Sequence, residues 1–202
     1  MTGLRSRKKE QTRRRIADVA LGMFAERGYD AVTVNQIAEA AEVARATMFA
    51  YFPTKESLVL NGVGAEDLGT VVEGRVPGQS FLAALRAHYE GLASAELTAV
   101  ELDSLKARVR VIRDSPALQS AATALLYQQR HDLAEALEAE MGESAARLVA
   151  AQVAAVLLTL QESYFQRLLD GIPPRQASVQ LADEFELAFD LLRHGLGRAG
   201  EV

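Results

Sequence analysis

Apolar positions along this chain recur at intervals of three and four, the spacing of one helical face, and hardly anywhere at intervals of two. Ile16, Ala20, Met23 and Phe24 fall at i, i+4, i+7 and i+8, a single stripe that predicts a helix from about Arg7 to Arg27. Gly28 follows, in the place where a left-handed residue ends a helix. Thr33-Val-Asn-Gln36 has the form of a capping box, opening a short helix over Val34 to Ala41. A second short helix covers about Ala44 to Tyr51. Pro53-Thr54 closes it, and Thr54 can cap a fourth helix from Lys55.

Longer segments follow the break at Val76-Pro-Gly78. Helices are expected over Gln79 to Ser94, Leu97 to Arg113, Ser115-Pro116 to Met141, Ser144 to Leu169 and Gln176 to Gly195. Gly142, Asp170-Gly171 and Ile172-Pro-Pro174 punctuate them. The β-branched cluster Val109-Arg-Val-Ile112 is isolated, with no alternating run or Asn-Gly turn beside it. The expected class is all-α, with about nine helices and no sheet.

Composition narrows this picture. Of 202 residues, 49% are hydrophobic and none is cysteine, which excludes a disulfide framework or a cysteine zinc site and asks for no oxidising compartment. The basic start, MTGLRSRKKEQTRRR, lacks the apolar run of a signal peptide. The longest apolar stretch, Leu148 to Leu160, is interrupted by Gln152 and Thr159; it is expected to be too short for a bilayer and to form a buried core helix. A cytoplasmic location is the expectation, with no membrane association. Charge is divided unevenly: Met1 to Leu58 carries ten Lys/Arg and seven Asp/Glu, the remainder twelve and twenty. A basic end on an acidic body suits an end that meets an anion, although a solvated charged arm has the same composition.

Catalytic patterns are missing. His88, His131 and His194 sit on separate helices, and none has a carboxylate three residues before it, as a di-iron bundle requires. No Gly-rich phosphate loop, Gly-x-Ser-x-Gly elbow or His-Glu-x-x-His occurs. Neither enzymatic activity, nor a cofactor, nor a metal is expected.

The informative stretch is Thr33 to Phe52, TVNQIAEAAEVARATMFAYF: two short helices and a tight turn, the form of a helix-turn-helix. Ile37, Ala38 and Ala41 would face inward from the first helix, and Val43, Met48 and Phe52 from the second. The segment resembles the DNA-binding domain of the TetR family of bacterial regulators at Thr33, Ile37, Ala38, Ala41, Val43, Thr47, Tyr51, Phe52, Lys55, Glu56 and Leu58. Ile16, Ala20, Phe24 and Gly28-Tyr29 fit the family's first helix. Three positions depart from it. Glu42 stands at the usual turn glycine and Ala44 at the usual capping serine, each worth about 1 kcal/mol. Phe49 replaces a tyrosine whose hydroxyl could reach a phosphate.

The resemblance implies a DNA-binding domain over 1–54, with the motif at 33–52, and a ligand-binding and dimerisation domain over 55–202. It implies a transcriptional regulator, by the family's habit a repressor released from a palindromic operator by a small molecule. A helical scaffold or partner-binding module without ligand response is the rival, and it leaves the basic end and the Arg45-to-Lys55 group unexplained. Arg45 would pair with a guanine, Ala46 and Thr47 would meet a thymine methyl or a phosphate, and Thr33, Tyr51 and Lys55 would hold phosphates. Asn35 is a weaker candidate, and Phe49 lies on the same outer side. Arg5, Arg7, Lys8 and Lys9 are candidates for an arm over the minor groove.

The family's last two long helices, here 144–169 and 176–195, pair with their mates across a homodimer, and Phe185, Ala188, Phe189, Leu192 and Leu196 form a stripe suited to that interface. An unidentified, largely apolar effector would sit among the middle helices, where Tyr89, Tyr127, Gln128, Gln161, Tyr164 and Phe165 supply polar and aromatic groups. The stretch RVRVIRDSPAL, 108–118, is similar to a subset related to regulators of mycofactocin clusters, some of which sense acyl thioesters.

Overall fold

A computed structural model of the chain describes residues 3–61, 67–93 and 98–195. Among them it has ten helices and no strand: α1 (Gly3–Arg27), α2 (Val34–Ala40), α3 (Arg45–Tyr51), α4 (Ser57–Leu60), α5 (Leu68–Glu73), α6 (Phe81–Ala93), α7 (Ala99–Arg113), α8 (Pro116–Met141), α9 (Glu143–Leu169) and α10 (Pro174–His194). The fourth helix expected from Lys55 is the short α4, with α5 following as a separate helix. α1 begins at Gly3, so Arg7, Lys8 and Lys9 belong to a helix rather than to an extended arm. The side chain of Arg5 lies outside the described residues.

Boundaries follow local chemistry. Gly28 has φ +81° and its N–H donates to the Phe24 carbonyl at 2.9 Å, which closes α1. Ser115 Oγ accepts from Leu118 N at 3.4 Å ahead of Pro116 at the first position of α8. Asp67 caps α5, accepting from Thr70 N at 3.1 Å and from the Thr70 hydroxyl at 2.6 Å. Gly69 sits where an added Cβ would come within 3.0 Å of the Asp132 carbonyl, so only glycine lets α5 approach α8 this closely.

Compactness groups the chain differently from a functional division at residue 54. One unit joins 1–63 to 99–123; the other joins 64–98 to 124–202. In the first, Ile16, Ala20 and Phe24 of α1, Ile37 and Ala38 of α2, Met48 and Phe52 at α3, and Leu58 of α4 pack in one core with Val111 of α7 and Leu118 of α8. In the second, Leu85, Leu133, Leu137, Ala150, Val153 and Phe185 are central.

α9 departs from expectation in its length. It runs for 27 residues and is, by length and composition, apolar enough to cross a bilayer, so the interrupted stretch 148–160 understated it. Within one protomer it is covered on one side, and the other is the side the resemblance gives to a second copy. Ala146, Ala150, Val153, Leu157, Leu160 and Leu168 are buried at helical spacing, while Leu148 is 67% exposed. The stripe assigned to a dimer interface is likewise corrected. Phe185, Ala188 and Phe189 are buried inside the protomer and Leu192 packs against the same core, because that face of α10 lies on its own α6 and α9; Leu196 lies outside the described residues. The exposed apolar side chains of α10 are instead Val179 and Leu187, at 63% and 62%.

Candidate nucleic-acid interface

The reading head is assembled within the first unit. Thr33 Oγ1 accepts from Gln36 N at 3.3 Å, and Gln36 Oε1 accepts from Thr33 N at 2.9 Å, completing the capping box of α2. The Thr33 hydroxyl also donates to Gln36 Oε1 at 3.1 Å, so its proton is already engaged. At the other end of α2, Val43 N donates to the Ala38 carbonyl and Glu42 N to that of Glu39, both at 3.0 Å. This double bond pattern places Glu42 in the left-handed region, at φ 51°. Ala44 precedes α3 with no side-chain cap. Both departures from the family pattern therefore keep the backbone and forgo its preferred residues.

Ile37, Ala38, Ala41, Met48 and Phe52 are buried and Val43 packs partly against them, which leaves the other face of α3 to solvent. On it Arg45, Ala46 and Thr47 are exposed, and Phe49 is half-buried. The Arg45 guanidinium lies over the Phe49 ring, 5.4 Å from its centroid. Phe49 thus gives up a phosphate-reaching hydroxyl but supports the arginine one turn before it, a pairing that the i, i+4 spacing implied and sequence reasoning missed. Asn35 is exposed on α2, and Tyr51 is half-buried against the core.

Lys55 is placed less freely than a phosphate contact suggests. Its Nζ donates to the Tyr29 carbonyl at 2.7 Å and lies 4.0 Å from the Tyr29 ring centroid and 5.6 Å from that of Phe24. Burial lowers its pKa, against the opposing carboxylates of Asp30 and Glu56. Lys55 therefore fastens the end of α1 to the start of α4, with two N–H groups left over.

The same unit also bridges α1, α4 and α7. Arg13 of α1 donates to Asn61 Oδ1 and lies over the Phe52 ring, while Arg108 of α7 donates to the Asn61 carbonyl at 3.1 Å. Burial lowers the pKa of Arg108, and Asp18 opposes that shift. Sequence reasoning gave neither arginine this bridging role; nothing in their spacing marks them as turned inward.

Two descriptions of known families match the chain: "Bacterial regulatory proteins, tetR family" over residues 16–61 and "MftR C-terminal domain" over 79–197. The chain belongs to the TetR family. This TetR-family protein is a DNA-binding transcriptional regulator, as its relatives are. It is 28% identical over 200 residues to the putative mycofactocin biosynthesis transcriptional regulator MftR of Mycobacterium tuberculosis, covering 96% of each chain. It is 35% identical over 122 residues to the regulator TcmR of Streptomyces glaucescens, a match spanning 57% of this chain and about half, 54%, of TcmR. Its fold is that of NalD from Pseudomonas aeruginosa, the secondary repressor of the MexAB-OprM multidrug efflux pump, with a TM-score of 0.56 at 20% identity over 89% of this chain and 97% of that one.

The six residues expected around an effector lie on three helices, α6, α8 and α9, with Tyr89 and Tyr164 packed against the core of the second unit. Tyr89 of α6 packs on Phe185, with ring centroids 5.6 Å apart. Tyr127 is 62% exposed beneath the Arg130 guanidinium, and Gln128 is exposed, donating to Asp132 at 2.8 Å. Gln161 is exposed on α9, while Tyr164 and Phe165 are half-buried beside one another. A cleft of about 320 Å³ lies elsewhere, between α6 and α10, lined by Leu82, Ala83, Arg86, Glu186, Phe189 and Arg193 among others.

Proposed function

We propose that the chain is a dimeric repressor that reads a palindromic operator through α3 and is released by a small, largely apolar effector. The observation that carries this reading is the row Arg45, Ala46 and Thr47, exposed at the start of a helix whose opposite side is buried. Arg45 suits the paired acceptors of guanine, and its platform on Phe49 limits the freedom lost on binding. Asn35, Thr33 and Tyr51 are phosphate candidates, with the Thr33 hydroxyl having to exchange its bond to Gln36. Lys55 contributes mainly by holding the unit together.

A second copy of the chain would cover the exposed apolar side chains of α9 and α10: Leu148, Val179 and Leu187. Two recognition helices about 34–36 Å apart would then meet successive major grooves. SmeT, of the same fold at a TM-score of 0.56 and 15% identity over 88% of this chain and 91% of that one, is solved with triclosan, which favours effector control over a scaffold without ligand response. The reading places the protein in the cytoplasm and gives it no catalytic step. The test is selection from a randomised duplex library at low salt, followed by titration of the enriched duplex at rising salt. A palindromic sequence bound with a steep loss of affinity is expected. A folded protein that enriches nothing overturns the reading.

A further inference from the structure

α1 extends well past the core it belongs to. Its buried stripe begins at Ile16, and every residue from Ser6 to Gln11 is exposed. At 1.5 Å per residue, about 15 Å of helix stands ahead of the first buried side chain. This extension is strongly basic: residues 6–15 hold Arg7, Lys8, Lys9, Arg13, Arg14 and Arg15 against Glu10 alone. Arg7, Gln11, Arg14 and Arg15 fall at i, i+4, i+7 and i+8 with Lys8 beside them, so they share the face turned away from Ile16, Ala20 and Phe24. All five are exposed, and among the described residues only Arg14 has a carboxylate within bonding distance, that of Glu10 at 3.1 Å.

Arg13, in the same turn, is directed inward onto Asn61 and the Phe52 ring. Phe52 closes α3. The rotation of the basic face about the helix axis is thereby fixed relative to the recognition helix.

We propose that this face binds backbone phosphates flanking the bases read by α3. The inference rests on the DNA-binding reading and adds a second surface to it. Like charges one turn apart weaken an isolated helix, and an exposed helix end gains little from packing, so the arrangement is favoured when an anion neutralises it. A polyanion with regularly spaced charges fits a row of cations; B-DNA carries a phosphate every 3.4 Å along each strand. The minor groove does not fit the segment as folded: a helix with side chains is about 10–12 Å across and the groove about 6 Å wide. The contact is therefore sequence-blind and lies along the strands, not in the groove expected for an arm.

The experiment uses the full chain and a duplex selected from a random library by that chain. Phosphate ethylation interference and purine methylation interference are mapped for the parent and for the triple variant Arg7→Gln, Lys8→Gln, Arg15→Gln, whose helix content is checked by circular dichroism. The parent is expected to show ethylation-sensitive phosphates outside the methylation-sensitive bases, and the variant to lose those alone. The slope of log affinity against log salt should fall by about 0.9 per lost phosphate, roughly 2–3 per protomer. Glu10→Gln, which frees Arg14, should act in the opposite direction and tighten binding. An unchanged ethylation map and slope in the triple variant, or weaker binding in Glu10→Gln, overturns the proposal while leaving the role of α3 intact. Failure to enrich any duplex overturns both.

Discussion

Glu42 is the only non-glycine with positive φ among the described residues, and replacing it tests whether its backbone is under strain. The bonds from Val43 to Ala38 and from Glu42 to Glu39 hold this position left-handed whatever the side chain. A residue with a Cβ costs about 1–2 kcal/mol there. Glycine removes that cost but loses about 0.5–1 kcal/mol more entropy on folding. Glu42→Gly should therefore stabilise the protein by about 0.5–1 kcal/mol, or about 1–4 °C in Tm for a chain of this size. Glu42→Ala keeps the Cβ and removes the carboxylate, and its Tm should stay within a degree of the parent. Thermal unfolding followed at 222 nm, at low and at high salt, separates backbone strain from charge. A gain in Glu42→Ala equal to that in Glu42→Gly would refute the strain argument and assign the effect to the carboxylate.

The remaining expectations concern other parts of the molecule. Arg45→Ala should cost about 1–3 kcal/mol of operator affinity and relax preference at one position per half-site, measured by competition among single-base variants. Lys55→Ala should lower Tm as well as affinity, because it loses the Tyr29 carbonyl and two ring contacts; an unchanged Tm would return Lys55 to the role of a simple phosphate contact. Arg108→Met should leave stability unchanged or raise it, since a guanidinium desolvated for one neutral carbonyl and the attraction of Asp18 is replaced by an apolar chain; urea unfolding checks this, and a loss above about 2 kcal/mol would count against it. Leu187→Glu should shift the dimer towards monomer in sedimentation, with little change in helix content. Asp67→Ala should cost about 1 kcal/mol at neutral pH. The two bonds from Thr70 hold the Asp67 carboxyl below its ordinary range, so that contribution is present above about pH 4 and lost as pH falls through the lower folded value; parent and variant should converge in acid melts.

Several element ends were legible from residues with a steric reason to be there, although α10 begins at Pro174, two residues before the start read after Ile172-Pro-Pro174. Ser115-Pro116 and Gly142 delimited α8 to the residue, and Thr33 with Gln36 announced α2. α4 was legible in its start and not in its length: Thr54 announced it near Lys55, and no residue was read as its end, which falls at Leu60. Spacing also identified the inward face of the reading head, because a seven-residue helix offers few alternatives. On α10 the same spacing identified a buried face without saying what buries it, and here the protomer does so itself. Side chains that meet across forty or a hundred residues, such as Arg13 with Asn61 or Arg86 with Glu186, leave no local trace and were out of reach.

The discontinuous first unit has a consequence for how the protein is made. Its helices α1 to α4 are synthesised first, but Val111 and Leu118, which complete their core, arrive only after residues 64–98 have been added to the other unit. At about 5–20 residues per second, the sixty residues from Val63 to Thr123 take roughly 3–12 s to emerge. Closing the 35-residue excursion costs on the order of 3 kcal/mol of chain entropy before α7 can dock. The part of the chain that carries the recognition helix thus spends seconds with an uncovered apolar flank, and a fragment ended near Asn61 would keep it uncovered permanently.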